Sequence, residues 1–135
     1  MSLALYKLQQ ALYARLNGDG VLMGMIEGIH DTVPQQATFP YVVIGDGQQD
    51  DVPSSGLNTY RCTLEIELFS RSKGRKEALL VLDRIYALLH RNVLSVDGYE
   101  CIVIRCEQVQ TEVLLDALTL RGAMLVSVHL GQEVA

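Results

Sequence analysis

The sequence predicts an α+β fold: a mixed, largely antiparallel sheet of about four to six strands packed by two main helices, in a single domain over residues 1–135. Three observations point there. Residues 59–69 alternate, with Tyr60, Cys62, Leu64, Ile66 and Leu68 on one side and Arg61, Thr63, Glu65 and Glu67 on the other, the two-residue period of a strand with one buried face. Residues 120–130 repeat the pattern, setting Leu120, Met124, Val126, Val128 and Leu130 against Arg121, Ser127 and His129. Two further segments carry the helical period instead. These are residues 3–17, with Leu5, Leu8, Leu12 and Leu16, and residues 74–91, with Leu79, Leu82, Ile85, Tyr86 and Leu89 on one face. Helices segregated between groups of strands imply a sheet covered on one face.

The remaining elements follow in chain order. "GDG" at 18–20 stops the first helix, since glycine there favours termination. "VLMGMI" at 21–26 suits one short helical turn, followed by a short extended piece over 29–33. Residues 41–44, "YVVI", form a continuous β-favouring run after Pro40, the mark of a strand covered on both faces. Residues 45–58, "GDGQQDDVPSSGLN", lack periodicity and read as a long loop. Asp97-Gly98 is a turn signal between two β-rich pieces, giving a hairpin or a bulged strand. If 99–108 is a strand, Cys101 and Cys106, five positions apart, point to opposite faces.

Composition narrows the function classes. With 49% hydrophobic residues and three prolines the chain builds a core. A formal charge of -5 disfavours wholesale adsorption to nucleic acid or to an anionic membrane. Apolar runs such as "ALLVL" fall far short of the roughly 20 residues a bilayer-spanning helix needs. No secretory signal is visible, which points to the cytosol or to something assembled there. The three cysteines form no C-x-x-C pair and read as buried or half-buried, reduced thiols.

Catalytic constellations are sparse. His30, His90 and His129 lie in separate elements with no chelating neighbour, so no metal or cofactor is expected. Glu65 and Glu67 share a strand face and, with Asp46, form the one set that suits a divalent metal and phosphodiester cleavage. A metal-dependent nuclease is therefore the alternative function, although Arg61 on the same face offers these carboxylates an ordinary ionic partner. "GDG" at 45–47 lacks the third glycine and the following helix of a nucleotide loop. Two phenylalanines and no tryptophan argue against a base-stacking platform.

One feature admits two readings, a solvated basic turn or a contact with a partner. Arg71, Lys73, Arg75 and Lys76 crowd the start of the second long helix, where cations oppose the helix dipole by about 0.3–1 kcal/mol each. A partner surface of negative charge resolves the conflict, and Asp46, Asp50 and Asp51 of another copy would supply it.

"IHDTVPQQATFPYVVIGD" (29–46), "SRSKGRKEA" (70–78) and "LHRNVLSVDGYECIVIR" (89–105), in this order and spacing, resemble the small tail-completion or tail-terminator proteins of long-tailed bacteriophages and gene transfer agents, a family formerly catalogued as a domain of unknown function. The resemblance extends over nearly the whole chain. It implies a structural protein with no catalytic residues, and a mixed sheet flanked by helices. It further implies a homo-oligomeric ring, usually of six copies, that caps the tail tube and meets a head-side connector or stopper protein. DNA passes through the lumen without sequence-specific binding, and no membrane is involved. Such a protein assembles in the bacterial host cytoplasm and ends at the head–tail junction of the particle. On this view Arg71, Lys73, Arg75, Lys76, Asp46, Asp50, Asp51, Glu65 and Glu67 are the candidate subunit or partner contacts.

Overall fold

The computed structural model describes residues 3–52 and 58–132. Helix α1 (Ala4–Asn17) and the single turn α2 (Gly20–Met23) precede strands β1 (Gly28–His30), β2 (Tyr41–Val52) and β3 (Thr59–Ser70); helix α3 (Lys76–Leu89) then leads to β4 (Ser95–Val96), β5 (Tyr99–Val113) and β6 (Leu120–Gln132). The six strands form one sheet in the order β1-β2-β3-β6-β5-β4, antiparallel except for the β1–β2 pair.

Both long helices lie on one face. Ala4, Leu8, Leu12 and Leu16 of α1 and Ala78, Val81, Leu82, Ile85 and Leu89 of α3 are buried against Val42, Ile44, Cys62, Leu64, Ile66, Leu68, Met124, Val126, Val128 and Leu130 of the sheet. The strand positions are those that alternation assigns to the interior. Burial of each large side chain contributes about 1.5–3 kcal/mol, so this two-layer contact is the main source of stability.

Three expectations are corrected. Residues 45–58 are not a long loop: β2 runs on to Val52 in register with β3, after a bulge between Ile44 and Gly47, and only 53–57 lie outside the described residues. Alternation is invisible there because the helix-side positions are Gly47, Gln49 and Asp51. Gly47 admits α1, since a Cβ on it would stand 2.9 Å from Leu5 Cδ1. Gln49 Oε1 accepts the Leu5 amide N–H at 3.0 Å, doing for the helix start what the apolar N-cap Leu3 cannot.

Second, Cys101 and Cys106 share a face. A bulge between Cys101 and Val103 adds one residue, so that Cys101 stands opposite Leu130 and Cys106 opposite Val126, both in the core register. Burial pushes the Cys62 and Cys106 thiols up to about 11, and all three cysteines are free. Third, Leu79 and Tyr86 of α3 are exposed, the buried stripe running instead through Ala78, Val81, Leu82, Ile85 and Leu89. The helix is apolar around more than the arc one sheet can cover.

Asp97 and Gly98 do make a two-residue hairpin, joining Val96 to its partner Tyr99, with Gly98 at φ 81°. Asp19 ties the helices together: it caps α2 by accepting the Leu22 N–H at 2.8 Å and receives Arg84 of α3 in two bonds of 2.8 and 2.7 Å. The Arg84 hydrogen bond first, and the Leu22 amide second, lower its carboxyl from 3.8 to about 2. The resulting stabilisation is complete above about pH 4 and fades as pH falls toward 2. Thermal melting across that range is expected to show a smaller acid-dependent loss in Asp19→Asn than in the parent chain.

Candidate functional site

The face of the sheet turned away from the helices carries the polar half of each alternation. On it Arg121 Nε donates to Glu67 and Arg121 Nη2 to Glu65, both at 2.5 Å, and Nη1 reaches Glu112 at 3.3 Å. Arg121, not Arg61, is thus the partner of the two glutamates. Strand register explains the correction: Arg61 pairs with Asp50 and His129 near the far end of β3, whereas Arg121 stands beside Phe69, two residues from Glu67. Asp46 lies exposed at the β2 bulge. Among the described residues no three His, Cys, Asp or Glu side chains converge on a point where a metal ion fits, so Asp46, Glu65 and Glu67 do not form the set a nuclease needs.

The cationic cluster divides in two. Arg71 is used locally: its guanidinium sits 4.3 Å from the centre of the Phe39 ring, its Nε donates to Thr119 Oγ1 at 3.1 Å, and Asp116 lies 3.7 Å away. Asp116 is itself fixed by the Thr119 hydroxyl and by the Leu118 and Thr119 amides, which hold its carboxyl at about 2. Lys73, Arg75 and Lys76 project into solvent and form no ion pair among the described residues. Glu77 does not neutralise them, because it accepts the Ser70 hydroxyl at 2.6 Å. Together with Arg71 and the β5–β6 turn, Lys73 and Arg75 border a cleft of about 490 Å³ that also includes Val113, Leu118 and Leu120.

Asp50 and Asp51 are at the opposite end. Asp51 pairs with Tyr60, while Tyr41 pairs with Phe69 beside the cationic turn. The ten steps from Tyr60 to Ser70 at about 3.4 Å each separate the two charge clusters by roughly 34 Å. Unlike patches therefore occupy opposite ends of one rigid sheet.

The sheet also has open edges. β1 covers β2 only at Tyr41, Val42 and Val43, and β4 covers β5 only at Tyr99 and Glu100. Further along β5 the stretch after α3 takes over, Arg91 N–H donating to Ile104 O at 2.9 Å and His90 Nδ1 accepting the Cys106 N–H at 3.0 Å. Residues 107–113 have no strand partner on that side among the described residues. Nothing in the local sequence marks His90 or Arg91 for this role, since their partners lie 13 residues or more along the chain.

Beside this edge α3 and β5 enclose a groove of about 830 Å³ lined by Lys76, Leu79, Leu80, Leu82, Asp83, Tyr86 and Val109. The sequence placed Leu79 and Tyr86 in the core and so missed it. A second, smaller cleft of about 400 Å³ runs along α1 on the β1–β2 side, lined by Tyr6, Gln9, Gln10, Tyr13, His30, Asp31 and Ile44.

The family model described as tail completion protein gp17 matches residues 10–130. No curated protein sequence matches the chain significantly. Among solved structures, a chain from the virion of a native gene transfer agent particle superposes with a TM-score of 0.86 at 16% identity, covering 96% of this chain and 99% of that one. The gp17 protein of bacteriophage SPP1 superposes with a TM-score of 0.62 at 25% identity, covering 98% of this chain and 93% of that one.

Proposed function

The chain belongs to the family of tail completion protein gp17, and from that membership we propose that it is a structural component of a phage or gene transfer agent tail, acting by docking and not by catalysis. In this reading, identical copies form a ring, of six by analogy with the resemblance noted above, that terminates the tail tube and presents a surface to the head-side connector. It assembles in the host cytoplasm and remains at the head–tail junction.

The observation that carries the proposal is the separation of unlike charged surfaces on one chain. Exposed Lys73, Arg75 and Lys76 stand at one end of the sheet and Asp50 and Asp51 at the other, with Asp46 exposed at the bulge between them. A contact between two different patches is heterologous, and heterologous contacts repeated by rotation close into rings. The sign of the remaining charge suits a DNA conduit: a lumen wall carrying carboxylates, or glutamates partly compensated by Arg121, lets phosphates slide where free lysines would grip them by counterion release.

The double reversal Arg75→Glu/Lys76→Glu tests this. Both side chains are exposed, so the monomer is expected to melt as the parent does, while occupancy of tail-tube ends, counted in negative-stain images, falls by about tenfold or more. Unchanged occupancy would remove the cationic turn from the interface.

A further inference from the structure

The two clefts on the helical layer have a relation that charge alone does not reveal. The outward stripe of α3 is Lys76, Leu79, Asp83 and Tyr86, and the outward stripe of α1 is Leu3, Tyr6, Gln10 and Tyr13. Both follow the same 3-4-3 spacing, so each presents a straight ridge one side of the helix wide. From Tyr6 to Tyr13, and from Leu79 to Tyr86, each ridge extends about 10.5 Å at 1.5 Å per residue. Large apolar groups dominate both, with Leu79 48%, Leu80 49%, Tyr86 41%, Tyr6 53% and Tyr13 46% exposed. Contiguous exposure of this kind marks an interaction surface. The α3 ridge borders β5 and the α1 ridge borders β1 and β2, strands near opposite edges of the sheet.

We propose that the α3–β5 groove seats the outward ridge of α1 from a second copy of this chain. The proposal rests on the ring reading and assigns the surfaces that close it. Matched spacing pairs Tyr6 with Leu79, Gln10 with Asp83 and Tyr13 with Tyr86, giving apolar or aromatic contacts at the ends and an amide that donates to a carboxylate between them. Charge selects the occupant and its direction. Lys76 lines the groove at the N-terminal end of α3, with Lys73 and Arg75 beyond it. The N-terminal end of α1 is fastened to the acidic half of β2 through Leu5 and Gln49, which brings Asp51, on the same helix-side row as Gln49, alongside. Seating the two helices parallel brings this acidic end toward the three free cations; seating them antiparallel does not. Because groove and ridge lie on different flanks, one copy uses both at once, as a closed ring requires.

Full-length Tyr6→Cys and Leu79→Cys chains, mixed with tail tubes and then oxidised, test the contact. Both positions are exposed, and retention of the parent melting temperature verifies folding. The mixture is expected to yield covalent dimers at least about tenfold above either variant alone, and Leu80→Glu in the Leu79→Cys chain is expected to abolish them. Rings visible by electron microscopy without mixed dimers would overturn the groove assignment and leave the ring reading intact. Dimers from Leu79→Cys alone would overturn it in favour of a two-fold contact, and stronger linkage of Tyr13→Cys than of Tyr6→Cys to Leu79→Cys would overturn the parallel orientation. Mixed dimers formed by chains that never make rings would uphold the groove contact and sink the ring.

Discussion

Replacing Arg121 by methionine is expected to lower the stability of the isolated chain by about 2–3 kcal/mol, a drop in melting temperature of roughly 6–12 °C for a domain of this size. The guanidinium is bonded to Glu65 and Glu67 at 2.5 Å, with the Arg121, Glu65 and Glu67 side chains 19%, 35% and 20% exposed. Removing the cation leaves two half-buried carboxylates on adjacent same-face positions of β3, with Glu112 nearby, and no counter-charge. Severing a fully buried pair costs about 3–5 kcal/mol, and the partial access of water here lowers that figure. Glu65→Gln/Glu67→Gln in the same chain is expected to restore most of the loss, because the penalty comes from the orphaned charges. A cycle showing no coupling between the Arg and Glu changes would refute this account.

How much of this was legible beforehand differs by element. β3 and β6 were, because they lie at the centre of the sheet with one face on the helices, and Cys62 to Leu68 and Met124 to Leu130 write that burial out at every second residue. The second half of β2 was not. Its helix-side positions serve a close approach at Gly47 and a helix cap at Gln49, and neither job calls for an apolar side chain. Both bulges of β5 were equally silent, since an inserted residue shifts the phase of alternation without altering its residue types. The Glu65–Arg121–Glu67 cluster joins residues more than fifty apart; the two strands were recognisable, their adjacency was not. As for the cationic turn, its residue types were plain from sequence, yet only the fold distinguishes Arg71, held by Phe39 and Thr119, from the three cations left free for a partner. Leu79 and Tyr86 show the converse error, in which helical period alone chose a stripe that the sheet does not reach.

Gly122→Val is expected to cost about 1–2 kcal/mol and, unlike the charge reversals, to impair assembly by deforming the α3 side of the molecule. Gly122 lies in β6 between Leu68 of β3 and Thr111 of β5, and a Cβ added there would stand 2.8 Å from Leu82 Cδ1 and 3.6 Å from Leu82 Cγ. Leu82 is 2% exposed on the core side of α3 and also lines the apolar groove, so it yields only by swinging into that groove or by moving the helix, and overpacking of this kind typically costs about 1–3 kcal/mol. The gain in strand propensity from losing a glycine, up to about 1 kcal/mol, offsets only part of that. Either relief deforms the docking side of the molecule, because α3 carries both Lys76 and the walls of the apolar groove. Valine at 122 is therefore expected to reduce ring formation with every surface charge unchanged. In the double variant Gly122→Val/Leu82→Ala the alanine gives the new side chain room, so its stability is expected to exceed that of Leu82→Ala alone and its assembly to recover with it. Recovery of stability without recovery of assembly would separate the position of α3 from the docking of neighbouring copies.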